Sequence, residues 1–101
     1  MFASIWSRLA RYRKLSALSL GKLEKNVMEY MWDTGECAVR DLYSRYQGKL
    51  AYTTLMTTLD RLHKKGLLDR RKVGKAFVYR PFLTREELDR DIARDLIGVL
   101  F

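Results

Sequence analysis

The residues with the most chemistry to offer lie between Ala51 and Pro81. This stretch holds eight cations (Arg61, Lys64, Lys65, Arg70, Arg71, Lys72, Lys75 and Arg80) against two anions, Asp60 and Asp69. Such an excess suits a polyanion, with each cation able to neutralise a phosphate. Ahead of the cations come Tyr52, Thr53, Thr54, Met56, Thr57 and Thr58. A threonine hydroxyl can hydrogen-bond a base edge or a phosphate, and its methyl can pack on a thymine methyl. Threonines are also ordinary on a solvated helix face. Four of them in six positions, however, are poor choices for helix propensity, and locally unfavourable choices tend to mark function.

Other chemistries are poorly supplied. One cysteine, Cys37, leaves no internal disulfide and no cysteine-rich zinc site; one histidine, His63, leaves no Cys/His or His/His constellation. An enzyme would have to work with carboxylates alone, and these are dispersed over solvated faces. No catalytic residue, metal or cofactor is therefore expected. The formal charge of +8 over 101 residues again favours nucleic acid or an anionic membrane surface. No apolar run approaches the roughly 18 residues of a membrane span. The absence of a secretory pattern makes a reducing cytoplasm the expected compartment.

Positioning the threonines and cations requires a small set of elements. Leu55, Leu59 and Leu62 recur at helical spacing, which predicts a helix from about Tyr52 to Lys65 closed by Gly66. That stripe faces a core and turns Thr53, Met56, Thr57, Asp60 and Lys64 outward, with Thr54 and Arg61 at one margin. A shorter helix over roughly Ala38 to Tyr46 precedes it, with Val39, Leu42, Tyr43 and Tyr46 as its buried stripe. Cys37 sits near the start of that helix, where a helix dipole lowers a thiol pKa; the alternative is a small flanking residue with no reactive role. A first helix begins at Gly21, where Gly21-Lys22-Leu23-Glu24 places a Glu three residues after the cap, and Leu23, Val27, Met28, Met31 and Trp32 line its inner face. Two short strands, Leu67 to Lys72 and Ala76 to Arg80, surround Val73-Gly74-Lys75 as a basic hairpin. Thr84-Arg85-Glu86-Glu87 is a capping box that opens a fourth helix carrying Leu88, Ile92, Leu96, Val99 and Leu100.

The fold class expected is mostly α with a small β-hairpin: a winged helix-turn-helix domain followed by the start of a helical dimerisation region. Residues 1–19 form a basic amphipathic extension, 20–82 the winged-helix domain, and 83–101 the first part of the dimerisation region. The apolar stretch from Leu96 to Phe101 reads as a fragment's edge or as a surface buried in a dimer. In the extension, Phe2, Ile5, Trp6, Leu9 and Tyr12 make one helical stripe beside Arg8, Arg11, Arg13 and Lys14, with no acid among them. Three roles fit it: docking on the domain or a neighbouring chain, gripping DNA, or lying on a membrane surface. A protein-interaction or membrane-surface module built on this segment is the alternative to DNA binding.

The order and spacing of these blocks resemble the penicillinase-repressor family of bacterial transcription regulators, the BlaI/MecI/CopY type. The resemblance rests on Leu20 to Glu24 with Val27-Met28 and Met31-Trp32, then Val39-Arg40-Asp41, Ala51 to Thr54, Thr57 to Leu62, Lys64 to Leu68, Gly74-Lys75-Ala76 and Tyr79-Arg80-Pro81. It implies a dimeric repressor of double-stranded DNA operators, palindromes with TACA/TGTA elements that control resistance genes. In several members a membrane-bound sensor protease system relieves repression by cleaving the C-terminal region. The copper-responsive branch uses a C-terminal cysteine cluster that this sequence lacks. On this reading Tyr52, Thr53, Thr54, Met56 and Thr57 meet bases. Arg40, Arg61, Lys64, Arg71, Lys72 and Lys75 hold phosphates, and Leu88, Ile92, Leu96, Val99 and Leu100 join two copies. Residues 1–19 lie outside the family's usual core, so no role carries over to them. Ala38 stands where the family often has Ser or Thr, which implies a weaker cap on the second helix.

Overall fold

The computed structural model describes residues 20–100, with side chains described through Arg94. The amphipathic stripe expected over 1–19, the side chains of Leu96, Val99 and Leu100, and Phe101 lie outside the described residues. The elements are α1 (Lys22–Thr34), β1 (Cys37–Ala38), α2 (Val39–Arg45), α3 (Tyr52–Lys64), β2 (Leu68–Val73), β3 (Ala76–Pro81) and α4 (Arg85–Leu100). Three helices, a hairpin and a following helix form a winged-helix domain, as expected.

The helices begin and end where their local chemistry directs. At the start of α1 the Glu24 carboxylate accepts a bond from the Gly21 N–H at 3.4 Å. At α2, Asp41 does the same for the Ala38 N–H at 2.9 Å, which supplies half of a capping box despite the missing hydroxyl. At α4 both halves form: the Glu87 N–H donates to Thr84 Oγ1 at 3.0 Å and the Thr84 N–H to Glu87 at 3.4 Å. Helix α3 ends in a Schellman turn. Gly66, at φ 85°, lets the Leu67 N–H reach the Leu62 carbonyl and the Gly66 N–H reach that of His63, both at 3.0 Å.

The core is assembled around α3. Leu55, Leu59 and Leu62 are fully buried, packed with Val27, Met28 and Met31 of α1, Leu42 of α2, and Leu67, Leu68 and Tyr79 around the hairpin. The stripe read from spacing is therefore the one that the fold buries. Two side chains depart from expectation. Tyr43 is 38% exposed rather than buried, because Val39 and Leu42 fill the inner face of so short a helix. Leu88 is 5% exposed within this chain's own core, and Ile92 packs at its margin. That corrects the dimerisation role given to Leu88, whose side chain is already used inside the domain.

The sheet has a strand that periodicity did not reveal. Its order is β1-β3-β2, antiparallel throughout, with Cys37 opposite Tyr79 and Ala38 opposite Val78. Val73 pairs with Ala76, which leaves Gly74-Lys75 as a two-residue turn. Gly74 takes φ 63° while Lys75 does not take a positive φ, the pattern of a type II′ hairpin. Strand β1 places Cys37 at 4% exposure, its Sγ 3.1 Å from Met31 Sδ. Burial, with Asp41 nearby, pushes the thiol up to about 11. The lowered thiol pKa entertained from the sequence is thus reversed: removal from water outweighs the short helix's dipole.

Arg70 is one of the residues that tie the hairpin to α3. Arg70 on β2 donates to Asp60 on α3 at 3.1 Å and lies 4.1 Å over the Phe77 ring on β3. Asp60 also pairs with Lys64 at 3.0 Å. The Lys64 and Arg70 contacts together hold its carboxyl below the usual value of 3.8. Helix α4 is fixed at its start: the Trp32 Nε1–H donates to the Leu83 carbonyl at 2.9 Å, and Arg85 bonds Glu29 through Nε at 3.0 Å.

Two outcomes follow from this packing. A disulfide reagent at pH 8 is expected to label Cys37 in the native chain on the order of a hundredfold or more slower than in the urea-unfolded chain. Equal rates would place the thiol in solvent. Because the folded state depresses the Asp60 pKa, its stabilising effect is present above 3.8 and is lost as pH falls through the folded value. Asp60→Asn is expected to cost about 1 kcal/mol or less at neutral pH, given a side chain about one-third exposed. In urea titrations that difference shrinks below pH 3.8; a pH-independent difference rules out the charge as its source.

Candidate nucleic-acid interface

The face of α3 opposite its leucines is uncharged for its first two turns. Tyr52 is 46% exposed and Met56 45%, and Thr53, Thr54 and Thr57 are exposed beside them. Thr58 separates from this group: it is 7% exposed, and its hydroxyl donates to the Thr54 carbonyl at 2.8 Å. Three threonines, not four, therefore remain without an intrahelical explanation. The short side chains leave the helix backbone open to close approach, which a groove-inserted helix requires.

Tyr43 of α2 joins this face, which the sequence reading missed. Its ring meets that of Tyr52 edge to face, centroids 5.6 Å apart and planes at 65°. Tyr43 follows Val39 by four positions, a spacing that also fits a buried stripe, so no signal in the sequence distinguishes the two placements. Arg70 was missed as a structural tie for a different reason. Its partners Asp60 and Phe77 lie on two other elements, and no spacing rule links them.

The cations divide by commitment. Arg40 in the first turn of α2 and Arg61 on α3 are exposed, as are Lys72 near the end of β2 and Lys75 in the turn. Lys64 is exposed but paired with Asp60. Arg71 does not join them. Strand alternation turns it away from Lys72 to the other face of the sheet, where its guanidinium bonds Glu36 through Nε at 3.1 Å. Arg71, expected to hold a phosphate, is exposed and paired with Glu36 on that face.

The lower half of α3 is anchored where the upper half is open. Lys65, just past its end, pairs with Glu24 of α1 at 2.7 Å, with both side chains mostly buried. The His63 Nδ1–H donates to the Leu68 carbonyl at 3.0 Å. An open groove lies between the start of α1 and the threonine face, lined by Gly21, Lys22, Thr53, Thr54, Thr57 and Arg61 among others. Among the described residues no group of His, Cys, Asp and Glu could hold a metal ion, and no helix is long and apolar enough to cross a membrane.

Comparison with known proteins bears on this geometry. The penicillinase repressor family matches residues 20–101. Two relatives, each named transcriptional regulator BlaI, from Mycobacterium tuberculosis strains CDC 1551/Oshkosh and H37Rv, are 40% identical over 82 residues. The match covers 78% of this chain and 59% of theirs, so the chain spans little more than half the length of these relatives. Among solved structures, the DNA-binding domain of the repressor BlaI superposes with a TM-score of 0.61 at 27% identity, covering 68% of this chain and 87% of that one. A fragment (1–100) of a possible transcriptional regulatory protein from Mycobacterium bovis, 23% identical, matches with a TM-score of 0.56 over 100% of both chains and shares the fold. These are transcription regulators rather than enzymes. The chain belongs to the penicillinase repressor family.

Proposed function

We propose that this chain is the DNA-binding part of a transcriptional repressor that acts as a dimer on a palindromic operator with TACA/TGTA-like elements. The observation that carries the reading is the outer face of α3, on which Tyr52, Thr53, Thr54, Met56 and Thr57 are exposed without a charged side chain among them. Helix α3 enters the major groove, where these residues meet base edges or the adjacent phosphates. Arg40, Arg61, Lys72 and Lys75 hold phosphates and set the register, with Lys64 contributing when it exchanges Asp60 for a phosphate. Tyr43 stiffens Tyr52 from behind through the ring contact.

Occupying a promoter is enough to repress, so the mechanism needs no bond-making step. Pairing of two chains through the distal part of α4, where Leu96, Val99 and Leu100 fall, presents two α3 helices to half-sites about one helical turn apart. The membrane-bound sensor protease of several family members would act on the longer protein's C-terminal region, and the genes controlled would be of the resistance or stress class. A reducing cytoplasm is the compartment consistent with such a role.

Gel-shift competition tests the core of the proposal: a TACA/TGTA palindrome should displace the bound chain better than scrambled DNA of the same length. Equal competition sinks sequence-specific reading. Thr57→Ala is expected to weaken operator binding by about 1–3 kcal/mol if its hydroxyl reads a base, with a much smaller loss on random DNA. Equal losses would demote it to a phosphate contact. Lys75→Ala is expected to weaken binding to both DNAs and to flatten the dependence of log K on log salt by about one unit. An unchanged slope takes the hairpin turn off the DNA.

A further inference from the structure

A row of side-chain contacts leads from the outward face of α3 into the hairpin. Asp60 accepts a bond from the Arg70 guanidinium at 3.1 Å. That guanidinium lies 4.1 Å over the Phe77 ring, whose centroid is 6.4 Å from that of the buried Tyr79 ring. Helix, both long strands and core are joined in one line. Arg70 and Phe77 can meet because they share a face of the sheet: Arg70 stands opposite Tyr79, and Phe77 opposite Lys72.

Beyond this row the hairpin leaves the core. Residues 71–77 are all exposed, and on the opposite face Arg71 pairs with Glu36, both in solvent. At the strand rise of about 3.4 Å per residue, the turn stands about 14 Å from Arg70. Tilting the hairpin at its base by about 15° would move Lys75 by roughly 4 Å. That exceeds the length of an N–H···O bond, about 3 Å. A phosphate contact at the turn therefore depends on what holds the base.

Asp60 is an unexpected residue for a helix face offered to DNA. It is an acid 34% exposed, one turn beyond Met56 and Thr57, and its charge repels phosphates. One of its oxygens takes Arg70 and the other takes Lys64 at 3.0 Å. The carboxylate is thus directed at cations of the domain, which gives it a geometric task in a place where its charge is unfavourable.

We propose that Asp60, Arg70 and Phe77 are positioning residues that fix the hairpin against α3, so that Lys72 and Lys75 meet phosphates at full strength only when α3 is seated in register. This rests on the repressor reading above and adds to it. A hairpin held in this way gives its contacts to the operator complex and withholds part of them from DNA on which α3 sits out of register. Phosphate contacts carry no sequence information by themselves. Through this row they contribute to discrimination.

The test measures affinity for a TACA/TGTA palindrome and for scrambled DNA of the same length, using the full chain, Asp60→Asn and Phe77→Leu. Charge alone predicts that Asp60→Asn tightens binding to both duplexes equally, since an acid is removed. The positioning role predicts weaker binding to the palindrome while scrambled DNA is held as well or better, so that the ratio falls by about two- to thirtyfold. Phe77→Leu leaves the charge unaltered and should lower the ratio in the same direction. In either variant the loss that Lys75→Ala causes on the palindrome should shrink. Lowered stability does not produce that non-additivity in chains that circular dichroism shows to be folded. An unchanged ratio in Asp60→Asn, or losses that add to those of Lys75→Ala, overturns the positioning role and leaves the repressor reading standing. A ratio that falls in Asp60→Asn alone overturns it in favour of direct base reading by Asp60. If the unaltered chain does not prefer the palindrome, the repressor reading falls and the positioning role falls with it.

Discussion

The packing of three leucines governs what the rest of this domain can do. Leu55, Leu59 and Leu62 are fully buried on one side of α3, and a side chain so placed fixes the helix's rotation about its own axis. A turn of even one residue would move the stripe by about 100° and bring Thr54 or Met56 against Leu42 and Leu68. Core density does not tolerate such a slip, since interiors pack like organic crystals and a lost methylene is felt. The exposed face of Thr53, Met56 and Thr57 is thus a consequence of the buried one. In a domain this small nearly every element contributes to the same core, so the exposed face of α3 and the fold have one set of determinants.

Polar contacts divide α3 along its length. Its C-terminal half is held by Asp60 to Arg70, by His63 to the Leu68 carbonyl, and by Lys65 to Glu24. Its N-terminal half has one lateral contact among exposed side chains, the Tyr43–Tyr52 ring pair. Ion pairs of partly exposed groups contribute little to stability. Their value here is geometric, because Arg70 bonds α3 and stacks on β3 at once and so couples the hairpin's position to the helix. Only the outer face of the N-terminal half is open, since Leu55 is buried in the core beneath it.

What was legible in the sequence follows from which signals are local. The leucine stripe, the caps at Glu24 and Glu87, the Gly66 terminus and a hairpin around Gly74 are each set by residues within a few positions of one another, and each appears in the structure; the loop is one residue shorter than expected, because Val73 joins β2. The resemblance to known repressors was legible in the same way, from ordered short blocks. Strand β1 was not, because two residues carry no alternation; it exists only through its pairing with Tyr79 and Val78. Tyr43 and Leu88 were misplaced where a periodic position fitted two environments. Three-dimensional neighbours decided each case: Tyr52 for Tyr43, the domain core for Leu88.

The placement of Leu88 has a consequence for how two copies could be arranged. Helix α4 does not leave the domain as a loose connector, since Leu88 is buried, Ile92 packs at the core's edge, and Arg85 and Leu83 are tied to α1. Its first two turns pack on α1, and α1 and α3 share one core and the Glu24–Lys65 pair. In the proposed dimer the separation of the two α3 helices is then set by the direction in which α4 departs, not by flexibility in the link. A rigid link of this kind favours one half-site spacing, because adding or removing a base pair rotates one half-site by roughly 35° relative to the other.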